Sequence, residues 1–262
     1  MTAELPLAGR GVLVTRPREQ AAGLAALIGS AGGRALLFPA IEIEEAGDPA
    51  PALSLIDRLE DFDLAVFISP NAVRKALELA RARRGDRPWP EQLRVSAPGR
   101  GTREELERHG FSRVIAPSSL ADSEALLALP ELAAVAGRRI LIFRGEGGRE
   151  LLGKALSARG ARVEHAVCYR RVRPDADRGA LLAAWQRGGV HAVTVSSSEG
   201  LANLDELLGR RGRRALRATP LFAPHPRVAD AARRLGVREV VVAGPGDEEM
   251  LACLVAYFRR AK

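Results

Sequence analysis

The chain has 262 residues, 47% hydrophobic and 27% charged, which is enough apolar material for packed cores in one or two domains and excludes disorder as the main theme. Its two cysteines, Cys168 and Cys253, cannot supply a disulfide framework, and with four scattered histidines they give no finger-like or HExxH spacing, so no metal site is expected. The net charge of +8 is carried almost wholly by arginine and admits anionic partners, although arginine excess also follows from GC-rich coding.

The opening residues MTAELPLAGRG lack the basic and long apolar stretches of an export signal, and no run of about 18 apolar residues occurs, so a soluble, cytoplasmic protein with no membrane partner is expected. Taken in chain order, the strand-like runs are VLVT, ALLF, LAVFI, RVSA and RVIA, then ILIF, VEHAVCY, AVTV, LFA and EVVVA. Between them Glu19–Ser30, Ala72–Arg84 and Thr102–His109 carry apolar residues at i, i+3, i+4 spacing and predict helices. Gly32-Gly33, Gly110, Gly160 and Gly236 each follow such a run and are expected as left-handed helix ends. Arg84–Pro90 and Gly209–Arg214 read as polar connections, the latter a solvated arginine loop.

The chain repeats itself. A shift of 128 places sets GVLVTRP (Gly11–Pro17) on RILIFRG (Arg139–Gly145) and pairs Arg16 with Arg144, Gly32 with Gly160, Ile41 with Tyr169 and Ser69 with Ser197. After a slip to 126, Ala97-Pro98 faces Ala223-Pro224 and Gly110 faces Gly236. Apolar runs without strict alternation suit strands buried on both faces of parallel sheets, with helices as crossovers, so two similar doubly wound α/β domains are predicted.

Ligands of such sheets bind beyond the carboxyl ends of the strands, where helix N-termini present N–H groups. Here those ends read Thr15-Arg16-Pro17, Ser69-Pro70-Asn71, Gly99-Arg100-Gly101-Thr102, Arg144-Gly145-Glu146-Gly147-Gly148, Ser196-Ser197-Ser198-Glu199-Gly200 and His225-Pro226-Arg227. Small, hydroxylated and glycine residues suit an anion held by backbone amides, and equally suit plain helix capping. Six such loops in two matched sets favour a shared ligand cleft. The dinucleotide fingerprint fails at Glu150, and neither a P-loop nor GxSxG exists, so covalent catalysis has no support. Aromatic residues make up 4% and no nucleic-acid module is visible, so no nucleic-acid partner is expected.

The strand ends TRP and FRG, the ISPNAV and SSSEGL loops one repeat apart, PGRGTREEL with its counterpart PHPRVADAA, and VCYRRV together resemble the uroporphyrinogen-III synthase family, in order and over essentially the whole chain. Two departures are Ile68, where threonine is usual, and His225-Pro226-Arg227 in place of a second glycine-threonine loop. The resemblance implies two flavodoxin-like α/β domains joined by a two-stranded β-ladder, residues 1–38 with 173–262 and residues 39–172, with the active cleft between them. It implies a cofactor-independent hydro-lyase that closes the linear tetrapyrrole hydroxymethylbilane, a polycarboxylate, into uroporphyrinogen III with inversion of ring D. Tyr169, which matches the family's tyrosine, is then the candidate general acid. Arg16, Ser69, Asn71, Gly99, Thr102, Arg144, Gly145, Ser197, Ser198, His225 and Arg227 are the candidate substrate-binding residues. A monomer is expected, since no large apolar surface stripe is evident. The competing expectation is a bilobed α/β module that binds a small anion without catalysis.

Overall fold

The computed structural model describes residues 5–118, 122–148 and 150–260. In chain order its first part runs β1 (Gly11–Val14), α1 (Arg18–Ser30), β2 (Arg34–Leu37), β3 (Glu42–Glu45), α2 (Ala50–Ile56), β4 (Leu64–Phe67), α3 (Pro70–Arg84), β5 (Arg94–Ser96), α4 (Arg100–Arg108) and β6 (Val114–Ile115). Then come α5 (Ser123–Leu127), α6 (Pro130–Ala133), β7 (Arg139–Gly145), α7 (Leu151–Ala158), β8 (Arg162–Val172), α8 (Arg178–Gln186), β9 (Ala192–Thr194), α9 (Ser198–Ala218), β10 (Leu221–Ala223), α10 (Pro226–Arg234), β11 (Val240–Val242) and α11 (Asp247–Arg260). The chain forms two compact units, Met1–Glu42 with Val172–Lys262, and Ile43–Arg171.

Each unit is built on one parallel sheet. The first has strand order β11-β10-β9-β1-β2, and the second β3-β8-β7-β4-β5-β6. The ladders of β1 with β2 and β9, and of β7 with β4 and β8, are parallel. The duplication explains the two orders. By repeat position β7 to β11 correspond to β1, β2, β4, β5 and β6, so the two sheets share one order of equivalent strands. Apart from β3, which adds a sixth strand to the edge of the second sheet, each sheet takes two strands from one copy and three from the other. Parallel neighbours need helical crossovers, which is why no hairpin could join them.

Alternation along the strands divides each core. In the first unit Val12, Val14, Ala192 and Phe222 pack on α1 and α11, where Leu24, Ile28, Met250 and Leu254 are buried. Leu13, Val193, Leu221 and Ala223 face the other way, toward Leu181, Leu204, Leu208 and Val228 of α8, α9 and α10. The second unit repeats this, with Ile140, Ile142, Leu64 and Val66 against Leu126, Leu152 and Leu156. Its opposite face gathers Phe67, Phe143, Ala65 and Leu141 over α2, α3 and α4, with the Phe67 and Phe143 rings stacked at 4.7 Å.

Gly32, Gly110, Gly160 and Gly236 have φ between 84° and 91°, the left-handed conformation that closes a helix without a Cβ penalty. Gly33 differs from expectation. It does not have positive φ, and its small size is instead required by packing, since a Cβ there would lie 2.9 Å from Ile28 Cγ2 and 3.1 Å from Leu7 Cβ. Of the connection expected at Gly209–Arg214, only Gly209 leaves helical geometry, and residues 210–214 are helical. The segment lies inside α9, which bends at Gly209 (φ 61°) and continues. The reason is the apolar stripe, because Leu204, Leu208, Gly212 and Leu216 are all buried on one side and outweigh two glycines in the sequence.

Candidate functional site

The second unit assembles a group around Tyr169. Along β8 the pairing with β7 is regular from Arg162 to Val167, then shifts so that Gly145 stands opposite Tyr169. A strand normally sends neighbouring side chains to opposite faces, and such irregularities re-aim one of them. Here Cys168 and Tyr169 both enter the same core cluster. The backbone is held at this point by Glu146 N–H donating to the Tyr169 carbonyl at 2.8 Å.

Tyr169 is fully buried. Its hydroxyl lies 3.0 Å from Ser69 Oγ and accepts from Arg171 Nη2 at 3.1 Å. The Arg171 guanidinium also sits over the phenol ring, 5.6 Å from its centre. On the far strand Gly145 leaves room for the ring, since a Cβ there would meet Tyr169 Cε2 and Cζ at 2.7 Å. Tyr169, Ser69 and Gly145 are therefore brought together, and Arg171, which lies within the VCYRRV stretch but was not among the candidate site residues, completes the group. Its signal was the spacing: residues i and i+2 on a strand share a face.

The other helix starts repeat one design. Ser69, Gly99, Ser197 and His225 all have extended backbone with φ between −165° and −153°, and each immediately precedes a helix. Ser69 Oγ accepts from Ala72 N–H at 3.1 Å, and Ser197 Oγ from Gly200 N–H at 3.0 Å. His225, which replaces a glycine, caps α10 through its ring, Nδ1 accepting from Arg227 N–H at 3.1 Å. Proline at the first position of α3 and α10 loses nothing there, because that N–H has no intrahelical acceptor. Ser198 opens α9 half-buried, whereas Arg227 is exposed on α10.

Asn71 and Thr102 are buried. Asn71 Oδ1 accepts from Arg74 Nη2 at 2.7 Å, and Arg74 Nη1 pairs at 3.1 Å with Glu105, a buried carboxylate on α4, so Asn71 braces α3 against α4. The two arginines of the repeat are held internally. Arg16 pairs with Asp247 at the start of α11, within the first unit. Arg144, also buried, donates to the Gly147 carbonyl and to the Gly145 carbonyl at 3.3 Å, shaping its own glycine loop. The loop is tied further by Glu146 Oε1, which accepts from Gly47 N–H at 2.9 Å.

Other chemistry-bearing groups stand apart. Burial pushes the Cys168 thiol up to about 12, which keeps it protonated and unreactive. His165 is held below the ordinary imidazole range by burial and then by Arg144, and His191 by burial and by Arg10 and Arg34. Two open cavities of the first unit, about 610 Å³ beside Arg173, Asp177 and Glu206 and about 430 Å³ beside Arg10, Arg34 and His191, contain none of the expected site residues. Among the described residues there is no cluster of three His, Cys, Asp or Glu able to hold a metal, and no helix is long and apolar enough to cross a membrane.

Twin parallel α/β units, whose strand ends lead into helix starts and one of which carries a pinned phenol, define a doubly wound α/β protein. Residues 22–252 match the family described as Uroporphyrinogen-III synthase HemD. The chain is 37% identical over 242 residues to the uroporphyrinogen-III synthase of Salmonella typhimurium and 36% identical to that of Escherichia coli (strain K12), in each case over 92% of this chain and 97% of the relative. The chain belongs to the uroporphyrinogen-III synthase family. Its fold matches the crystal structure of a mutant uroporphyrinogen III synthase from the extremely thermophilic bacterium Thermus thermophilus, with TM-score 0.63 and 23% identity over 97% of this chain and 100% of that one. The uroporphyrinogen-III synthetase of Helicobacter pylori 26695 gives TM-score 0.59 and 12% identity over 95% and 99%.

Proposed function

We infer that this member of the family converts hydroxymethylbilane to uroporphyrinogen III, inverting ring D and releasing water without a cofactor. The observation that carries the reading is identity of 36–37% to two synthases along almost their whole length. The phenol of Tyr169, set among hydrogen-bond donors at a strand end, supplies the chemistry.

The substrate carries eight carboxylates on a flexible apolar chain, and left alone it closes without inversion. The catalytic task is therefore mostly orientation. We assign the helix starts at Ser69, Gly99, Ser197 and His225 to carboxylate binding through first-turn N–H groups, where the helix dipole favours negative charge. Because the hydroxyls of Ser69 and Ser197 cap their own helices, the backbone carries this work, assisted by Ser198 and exposed Arg227. Arg16 and Arg144 act one step back, holding the loops that face the substrate.

Tyr169 gives its proton to the departing hydroxyl of the substrate. The carbon–oxygen bond breaks with its electron pair leaving on oxygen as water, and the pyrrole nitrogen lone pair supports the resulting azafulvene cation. Attack by the substituted carbon of ring D gives a spiro intermediate, which reopens and closes in the inverted sense. When the last pyrrole regains aromaticity its α-carbon sheds a proton, which restores Tyr169. The balance is one water lost and no electron gained.

We also assign the enzyme to the cytoplasm, in keeping with two free thiols, and read it as a monomer with no nucleic-acid partner. The test is incubation of purified protein with hydroxymethylbilane, oxidation of the product to porphyrin and chromatographic separation of isomers. Type III product is expected; type I alone overturns the reading. Tyr169→Phe lowers turnover severalfold in a folded protein, and unchanged turnover removes the phenol from the mechanism.

A further inference from the structure

We propose that Arg171 is a positioning residue for the reaction, acting through Tyr169 by receiving the negative charge that the phenol oxygen acquires when its proton leaves. The inference rests on the assignment of Tyr169 as proton donor and adds a residue to it.

Three observations converge. Arg171 is half-buried, and its Nη2 lies 3.1 Å from the phenolic oxygen. The same guanidinium covers the ring face at 5.6 Å from its centre, so it fixes the ring as well as the oxygen. Ser69 Oγ lies 3.0 Å from the phenol and accepts from Ala72 N–H, and either oxygen of the Ser69–Tyr169 pair can be the donor. In the arrangement in which Arg171 and Ser69 both donate, the Tyr169 oxygen accepts twice and its own hydrogen points at neither neighbour. That hydrogen is the one available to a substrate hydroxyl.

Charge bookkeeping shows why the arginine matters. Proton donation converts a neutral phenol in a fully buried setting into an anion, which is costly unless paired and hydrogen-bonded. Donors placed before the reaction meet this charge without reorganisation, the arrangement that lowers a barrier most effectively. Arg171 supplies a full positive charge and Ser69 a neutral donor, and a charge-assisted hydrogen bond is the stronger of the two. Arginine also suits the place better than lysine, because a planar group can donate at its edge while its face lies over an aromatic ring.

A double-mutant cycle tests the proposal. Arg171→Met is expected to lower kcat by about tenfold, within the range of general-acid effects, with KM nearly unchanged. In the Tyr169→Phe background the same substitution costs nothing further, because no oxygen remains to be served. Arg171→Lys, which keeps the charge and serves as the second variant should the methionine chain fail to fold, regains part of the rate. The proposal is overturned if Arg171→Met leaves kcat unchanged, if the loss appears in KM alone, or if it is equally large with and without the Tyr169 hydroxyl. The last two results would give Arg171 a direct grip on a substrate carboxylate. Should Tyr169→Phe itself turn over at the full rate, the donor assignment falls and this inference falls with it. If Tyr169→Phe is slow and Arg171→Met is not, only the role of Arg171 is lost.

Discussion

Gly145→Ala is a single added methyl whose consequences can be worked from distances. The new Cβ would lie 2.7 Å from Cε2 and Cζ of Tyr169, whereas ordinary carbon contacts begin near 3.4 Å. The ring must therefore retreat by about 0.7 Å, the difference between those separations. It cannot swing away freely, since it is fully buried and its oxygen is held by Ser69 and Arg171. A retreat of that size directed away from Ser69 stretches the 3.0 Å contact beyond hydrogen-bonding range. Overpacking of this kind costs about 1–3 kcal/mol, a fall in Tm of roughly 2–12 °C for a domain of this size class. Turnover should drop at least as far as in Tyr169→Phe, because the phenol is displaced and not merely shortened. Thermal unfolding and the porphyrin isomer assay measure the two effects. Tyr169→Leu supplies the control, since it removes the ring that the methyl strikes, and Gly145→Ala should then cost little stability. An equal loss of Tm in both backgrounds, or full turnover in the single variant, refutes the claim that this glycine exists to seat the tyrosine.

Two further predictions concern parts of the chain outside that group. Ser197→Ala removes the Oγ that accepts from Gly200 N–H and should cost about 1 kcal/mol of stability, read by urea unfolding, with turnover changed little if carboxylates are bound by backbone; a large KM rise with no stability loss would reverse that assignment. The Arg84 guanidinium holds the Glu60 carboxyl well below the ordinary range, at about 2. A carboxylate with a lowered folded pKa contributes stability that is present above its unfolded value and lost as pH falls through the folded one. Stability from this pair should thus decline from about pH 4.5 toward about 2, and Arg84→Met should return the Glu60 titration, followed by NMR, to the usual carboxylate range.

The sequence carried the central strands well because a central strand of a parallel sheet is apolar on both faces. The runs ILIF and LAVF have little other use, and both lie in fully buried ladders. Helix ends were legible at the glycines that adopt positive φ just before a strand, as at Gly110 and Gly236. Legibility failed where a local rule met a tertiary one. Gly209 and the arginines after it look like a loop, yet the buried leucines on either side keep α9 going. Repeat periodicity by itself divides the chain between its two copies, whereas the observed sheets mix them. No propensity encodes that choice, since either arrangement buries the same strand faces. Within the candidate site, hydroxyls at strand ends were visible but not their use, because a serine that caps a helix and one that binds an anion have the same sequence. Arg16 and Arg144 illustrate this most plainly: matched by the repeat and expected to meet substrate, they are engaged by Asp247 and by loop carbonyls.

Only one copy of the duplication carries a tyrosine at the Tyr169 position. Both copies retain the strand, the helix start and its cap, so Ser69 has its twin in Ser197. The position of Tyr169 in the other copy is Ile41, buried and in van der Waals range of the Gly200 site, with Cδ1 3.5 Å from where a Cβ would stand. The two environments differ in what the strand offers next. After Tyr169 comes an arginine two residues on, and opposite it a glycine; the equivalents around Ile41 are Ile43 and Pro17. An arginine without the facing glycine would find the ring displaced, and a glycine without the arginine would leave the phenol anion to a neutral serine. On the proposed assignment, the tyrosine, the glycine that admits it and the arginine beside its oxygen form one set carried by a single copy, laid over a scaffold that both copies share.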